Sequence, residues 1–287
     1  MDESQNLHER STSMSNKDFQ RLSQFIYKQC GIKMTTAKKT MLEARLNKRL
    51  RMLQMYSFTD YCDYLFSQSG MESELVQMID VVTTNKTDFF REPDHFEYLV
   101  QQVIPQWERR HGNRGRKLSV WSAGCSTGEE PYTLAMILSD YAEENPGFAF
   151  NILATDISTR VLEKARQAIY EEDRVDPVPM AMKKKYLLRS KDRSNPLVRV
   201  NPTLREKIHF RRLNFMDDEF GMREPLDIIF CRNVIIYFDR PTQEQVLNHF
   251  YRLMAPGAYI FMGHSETLNG LDVPLVSVHP TVYRKVQ

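Results

Sequence analysis

Glu129 and Glu130 stand directly after the turn Gly124-Cys-Ser-Thr-Gly128 and directly before Pro131. Lys117 to Trp121 reads as a short strand leading into that turn. Gly124 and Gly128 let the backbone bend sharply and approach a ligand closely. Ser126 with Glu129, and Thr127 with Glu130, fit the S/T-x-x-E capping box that opens a helix. Pro131 sits in the first turn, where its missing N–H is harmless. Tyr132, Leu134, Ala135, Ile137 and Leu138 supply the apolar face. Strand, glycine turn and helix N-terminus form the nucleotide-binding corner of a doubly wound α/β sheet. The G-x-G-x-x-G fingerprint is absent, and two carboxylates would repel a pyrophosphate at that helix end. They suit a ligand with hydroxyls and positive charge. S-adenosyl-L-methionine has both, in its ribose, amino group and sulfonium.

Phe148 to Thr155 reads as the second strand and ends at Asp156. A carboxylate at that tip is placed to accept hydrogen bonds from two ribose hydroxyls. The bland alternatives are a helix cap for Glu130 and a turn residue for Asp156. Thr83 to Pro93 (T-T-N-K-T-D-F-F-R-E-P) is dense in hydrogen-bonding groups around Phe89 and Phe90. A plain linker needs neither two aromatics nor the Arg91 that follows them.

The elements that position these residues follow from periodicity. Residues 1–15 read as a disordered, solvated tail. Residues 16–82 carry apolar side chains at helical spacing (Phe19, Leu22, Phe25, Ile26; Met41, Leu42, Leu46, Leu50) and read as three or four helices. Residues 83–93 form a linker, and 94–287 an α/β domain with an insertion at about 171–207 holding a helix near Met180–Leu187 and a small antiparallel hairpin. Further strands are expected at Ile208–Leu213, Leu226–Cys231 and Tyr259–Gly263, with a helix at Thr242–Met254 and a final hairpin at Val273–Val286. Such an antiparallel addition to a parallel sheet distinguishes methyltransferases that use S-adenosyl-L-methionine from dinucleotide-dependent dehydrogenases.

The net charge of +2 carries no global field towards nucleic acid. Cys30, Cys62, Cys125 and Cys231 have no C-x-x-C spacing, so neither a metal site nor a disulfide framework is expected, and reduced thiols fit a cytoplasmic setting. The polar start lacks the apolar core of a signal peptide. The most apolar run, Ile228 to Phe238, is broken by Arg232 and Asn233, far short of the roughly 20 residues a membrane span needs. Lys38, Lys39, Arg45, Lys48, Arg49 and Arg51 cluster with only Glu43 against them. Such a helix is either a solvated face or a dock for an acidic partner.

The segments A-G-C-S-T-G-E-E-P-Y (Ala123–Tyr132), T-N-K-T-D-F-F-R (Thr84–Arg91), F-C-R-N-V-I-I-Y-F-D (Phe230–Asp239) and G-H-S-E (Gly263–Glu266) together resemble the chemotaxis receptor glutamate methyltransferases, CheR. The resemblance runs from about residue 16 to the end. It implies the class I methyltransferase fold, a doubly wound sheet with an antiparallel last strand, joined to an all-α N-terminal receptor-recognition domain and a small inserted antiparallel β-subdomain. It implies that Asn85, Thr87 and Arg91 reach S-adenosyl-L-methionine from the linker, with Glu129 and Asp156 at the strand tips. Asn214-Phe215 and Asn233-Val234 correspond to the rim near adenine and methionine, and Arg91 and Tyr237 to residues beside the transferred methyl. Some members dock a receptor peptide on a glycine-rich loop, but Arg189–Pro196 here contains no glycine.

The resemblance implies methylation of glutamate carboxylates on the helical cytoplasmic region of transmembrane chemoreceptors, for sensory adaptation, with S-adenosyl-L-homocysteine as product. A monomer is expected, recruited to membrane receptor arrays without inserting in the membrane, the basic helix meeting the acidic receptor surface. Two other classes compete: a non-catalytic S-adenosyl-L-methionine-sensing adaptor, and a nucleic-acid methyltransferase, for which stacking aromatics are lacking.

Overall fold

The structure, a computed structural model, describes residues 13–112, 115–192 and 194–286. The chain divides into two compact units between Thr84 and Asn85.

Among the described residues the first unit holds five α-helices, α1 (Asn16–Cys30), α2 (Lys39–Met52), α3 (Phe58–Leu65), α4 (Gln68–Ser73) and α5 (Leu75–Val82). Ser15, Ser57 and Ser67 each accept the backbone N–H three residues on, at the N-caps of α1, α3 and α4. Leu22, Ile26, Leu42, Leu46, Leu50, Phe58, Tyr61 and Leu65 are buried on the faces that the 3.6-residue period selects. Of the expected tail, residues 1–12 lie outside the described residues. Met14 is buried and its N–H donates to Glu43 (3.0 Å), so ordered structure begins before α1.

The second unit opens with α6 (Pro93–Tyr98) and α7 (Ile104–His111), joined by a π-helical turn over Leu99–Val103. Pro105 has no N–H to donate back along the helix, which accounts for the interruption. The strand and helix succession is β1 (Leu118–Ala123), α8 (Glu129–Glu144), β2 (Phe150–Asp156), α9 (Thr159–Gln167) and then the insertion. The insertion contains β3 (Ile169–Glu171), α10 (Met180–Tyr186), β4 (Leu187–Arg189) and β5 (Leu197–Val200), followed by α11 (Pro202–Arg205). The main sheet resumes with β6 (Ile208–Arg212), β7 (Leu226–Cys231), α12 (Arg240–Leu253), β8 (Met254–Met262), β9 (Leu275–His279) and β10 (Val282–Lys285).

The main sheet has strand order β6-β2-β1-β7-β8-β10-β9, parallel from β6 to β8 and antiparallel for β10 and β9. The small sheet is β3-β5-β4, three antiparallel strands where a hairpin was expected. β8 starts at Met254 and runs through Pro256-Gly257, where the strand was expected only from Tyr259. The pairing register slips between Leu226 and Ile228, a shift that lets the strand carry a proline. Because β2 and β7 flank β1 on opposite sides, the chain reverses its winding there, and ligands of open α/β sheets bind beyond the carboxyl ends of strands at such a point.

Candidate active site

The carboxyl ends of β1, β2, β6 and β7 carry Gly124–Glu130, Asp156, Asn214-Phe215 and Arg232–Tyr237. Gly124 has φ of 86°, and a Cβ there would lie 2.5 Å from Val234 Cγ2, so only glycine lets the β1 and β7 tips meet. At Gly263 a Cβ would come within 2.8 Å of the Asn233 backbone nitrogen.

The expected capping box does not form. Gly128, with φ of 100°, occupies the N-cap of α8 without a side-chain bond. Ser126 takes φ of 48°, and its hydroxyl donates to the Asn85 carbonyl (2.9 Å). The Thr127 hydroxyl donates to Glu129 Oε2 (2.6 Å). Glu129 Oε1 receives Arg174 (2.9 Å), and its side chain is 2 % exposed. Asp156 accepts the backbone N–H groups of Ser126 and Ser158, each at 2.9 Å, tying the glycine turn to the start of α9. Both acids at this corner are thus held in fixed directions as acceptors, a set that fits a ligand bearing hydroxyls and positive charge.

Residues 85–92 form a strap across this corner. Phe89 is buried and meets Tyr170 edge-on, with ring centroids 5.0 Å apart. Phe90 and Glu92 have φ of 53° and 55°, left-handed conformations that are strained for such side chains and cluster at functional sites. The strap is held against that strain. Phe90 N–H donates to Thr133 Oγ1 (3.2 Å), and the Thr87 and Arg91 carbonyls accept Arg174 and Arg232, each at 2.6 Å. The Arg91 guanidinium is 32 % exposed and, among the described residues, reaches the Lys86 carbonyl (3.3 Å) and, at 3.9 Å, Glu92.

Arg232, in the sequence an interruption of an apolar run and one residue of a quoted motif, is the centre of a buried ionic cluster. Its Nε donates to Glu130 Oε2 (2.7 Å), while Glu130 Oε1 accepts Ser122 Oγ (2.7 Å). Glu130 thus serves neither as a cap nor as a free acid. Arg232 Nη1 lies 3.3 Å from His95 Nδ1 and 3.5 Å from Glu92 Oε2. Glu92, His95 and His264 could together offer ligands to a metal ion, but the guanidinium already supplies the cation at the first two. Burial first, and Arg232 second, lower the His95 pKa to about 4. The folded state therefore binds its proton less well than the unfolded chain. The stabilisation is complete above about pH 6.5 and falls by about 1.4 kcal/mol per unit towards pH 4. His95→Gln is expected to flatten that part of a denaturant-stability profile, and an unchanged slope would show that His95 is not its source.

Glu266, quoted only as part of a motif, accepts the backbone N–H groups of Asn233 (2.7 Å), Val234 (2.9 Å), Ile236 (3.3 Å) and Gly263 (2.7 Å). One carboxylate thereby shapes the whole β7 tip, where Asn233 has φ of 60° and Tyr237 is half-buried. Asn214 Oδ1 accepts Met216 N–H (3.1 Å). Phe215 packs with Trp121, Phe220 and Phe250, an aromatic wall beside the β6 tip.

In the helical unit the basic cluster separates into two groups. Arg49 is buried and bidentate to Glu74 (2.8 and 2.6 Å), so it is internal structure and not a docking residue. Arg45 donates to the Val82 and Thr83 carbonyls and to Thr84 Oγ1, capping the end of α5. Both fall on the stripe Leu42, Leu46, Leu50 at spacings that point inward, a signal present in the sequence. Lys39 reaches Asn16 Oδ1 (2.8 Å) and Lys38 the Lys33 carbonyl (3.2 Å), while Lys48 and Arg51 are exposed.

Comparison with known proteins matches two family models, "CheR methyltransferase, all-alpha domain" over residues 17–83 and "CheR methyltransferase, SAM binding domain" over residues 85–283. A chemotaxis protein methyltransferase of Borreliella burgdorferi is 38 % identical over 287 residues, 99 % of this chain and all of the relative. Those of Klebsiella aerogenes (39 % identity, 94 % of this chain, 90 % of the relative) and Escherichia coli (38 %, 94 % and 91 %) are similarly related. No helix among the described residues is long and apolar enough to cross a membrane. The clustered strand tips, the strap and both domain matches lead to one conclusion: this chain belongs to the CheR methyltransferase family and is an S-adenosyl-L-methionine-dependent methyltransferase.

Proposed function

We propose that this enzyme methylates glutamate side chains on the helical cytoplasmic region of chemoreceptors, giving glutamyl methyl esters. Full-length identity to chemotaxis protein methyltransferases carries the reading, and the strap that presents Arg91 supports it. Glu129 and Asp156 would hold the amino and ribose groups of S-adenosyl-L-methionine, with Asn85, Thr87, Asn214, Phe215, Asn233 and Val234 completing the rim. When bound, that molecule supplies an electrophilic methyl group, which leaves sulfur as the bond to a carboxylate oxygen forms.

A glutamate has an ordinary pKa of about 4.3, so the attacking oxygen is already ionised at neutral pH and needs no general base. Arg91 holds the incoming carboxylate through its fork of donors, and Tyr237 fixes the oxygen in line. Water would stabilise the separated charges more than the transition state, in which they cancel. The apolar anchoring of Phe89 and Phe90 beneath Arg91 therefore favours transfer by keeping that side dry. The enzyme works in the cytoplasm as a monomer that visits membrane receptor arrays.

Lys48 and Arg51, three residues apart and exposed, are the part of the basic helix free to meet an acidic receptor surface. Lys48→Glu with Arg51→Glu is expected to slow methylation of receptor membranes about tenfold at low salt, the gap closing as salt rises. S-adenosyl-L-homocysteine affinity is expected to stay at the wild-type value. Equal rates at low salt would assign receptor recognition to another surface.

A further inference from the structure

The small-sheet insertion reaches the proposed cofactor corner through one side chain. Arg174 lies in the short 3₁₀ turn Glu172–Val175 that follows β3. Its Nη2 donates both to Glu129 Oε1 (2.9 Å) and to the Thr87 carbonyl (2.6 Å), and its Nη1 donates to Asp88 Oδ1 (3.0 Å). One planar group thus joins three segments that are far apart in sequence: strap, first turn of α8, and insertion.

Nearby contacts reinforce the junction. Tyr170 of β3 donates its hydroxyl to the Thr127 carbonyl (2.8 Å) and packs edge-on against Phe89. Arg189 of β4 pairs with Glu172, at the start of the same 3₁₀ turn. With Thr127 donating to Glu129 Oε2 and Arg174 to Oε1, both oxygens of a buried carboxylate are fixed in direction. Only a forked cation can hold that carboxylate and the strap carbonyl together while also reaching Asp88.

We propose that Arg174 is a positioning residue for the cofactor site, through which the inserted subdomain locks Glu129 and the strap in their binding geometry. This rests on the reading of Glu129 as a cofactor-binding group. Two physical roles for the guanidinium predict opposite outcomes. As a charge compensator it would weaken the pull of Glu129 on a cation, and its removal would favour S-adenosyl-L-methionine over S-adenosyl-L-homocysteine, which lacks the sulfonium charge. As a positioning group it preorganises acceptors that both ligands use, so its removal weakens both alike.

Calorimetric titration of the full chain with each ligand separates these cases. Arg174→Ala is expected to weaken both by about tenfold or more, leaving their affinity ratio within about twofold of wild type. Asp88→Asn, which removes only the ion pair to Nη1, is expected to lose less, and Arg174→Lys to recover part of the loss. Arg174→Ala leaves the Glu129 carboxylate, 2 % exposed, without its cation and is expected to melt lower, whereas Arg174→Lys keeps a charge there and is expected to melt near wild type while recovering only part of the affinity. Affinities within about twofold of wild type, a selective gain for the sulfonium ligand, or a loss that tracks melting temperature in every variant would each overturn the proposal. Failure of wild type to bind either ligand would instead remove the reading of Glu129, and the proposal with it.

Discussion

Arg91→Ala is expected to slow methyl transfer by roughly 10²–10³-fold, the loss typical when a preorganised charged donor leaves a reacting group. The reason is local. The backbone around Arg91 is held by groups other than its own side chain: Arg232 on its carbonyl, and Thr133 on the Phe90 N–H. Two strained residues flank it, and the guanidinium is left 32 % exposed with weak internal contacts. A cation presented in this way is available to a ligand. The alanine variant is expected to keep the wild-type melting temperature, because the clamps remain. Arg91→Lys is also expected to be poor, since an ammonium cannot grip both oxygens of a carboxylate. Steady-state rates on receptor membranes, with S-adenosyl-L-homocysteine affinity measured alongside, separate transfer from binding. Full turnover by the lysine variant would show that fork geometry is irrelevant.

Arg49→Ala is expected to cost the helical domain about 3–5 kcal/mol, the usual consequence of leaving one buried charge without its partner. Glu74, whose side chain is 2 % exposed, would keep the Tyr61 hydroxyl (3.0 Å) as its partner among the described residues. Denaturant unfolding followed by far-ultraviolet circular dichroism reads the loss. The paired replacement Arg49→Met with Glu74→Leu is expected to recover most of it, because well-packed apolar residues often replace a buried ion pair at little cost. A loss below about 1 kcal/mol would return Arg49 to the class of surface cations.

These two arginines show what the sequence reveals and what it hides. The sheet, the glycine corner and the acids at the strand tips were legible because short apolar runs ending in small or acidic residues have a restricted set of uses. The all-α start was legible from its period. Partners far apart in the chain were not legible. Nothing local marks Arg232 as the counter-ion of Glu130, 102 residues away, or Arg174 as that of Glu129. Nor does anything local show that Glu266 gathers four backbone N–H groups from the β7 tip and Gly263. The capping-box pattern misled because it is blind to φ: Ser126 is left-handed and turns to Asn85, leaving Gly128 as the cap. The basic run hides its division because charge alone does not show which way a residue faces: Arg45 and Arg49 turn inward, Lys48 and Arg51 outward.

This enzyme is expected to move a methyl group from S-adenosyl-L-methionine onto a receptor carboxylate. The most direct test incubates it with methyl-labelled S-adenosyl-L-methionine and membranes containing chemoreceptors, then treats the labelled protein with mild alkali. A glutamyl ester is hydrolysed there, whereas methyl groups on nitrogen are not. Label is expected in the receptor band, released as methanol by alkali and strongly reduced with Arg91→Ala. Label that resists alkali, or that appears in RNA and not in receptors, would overturn carboxyl methylation of receptors.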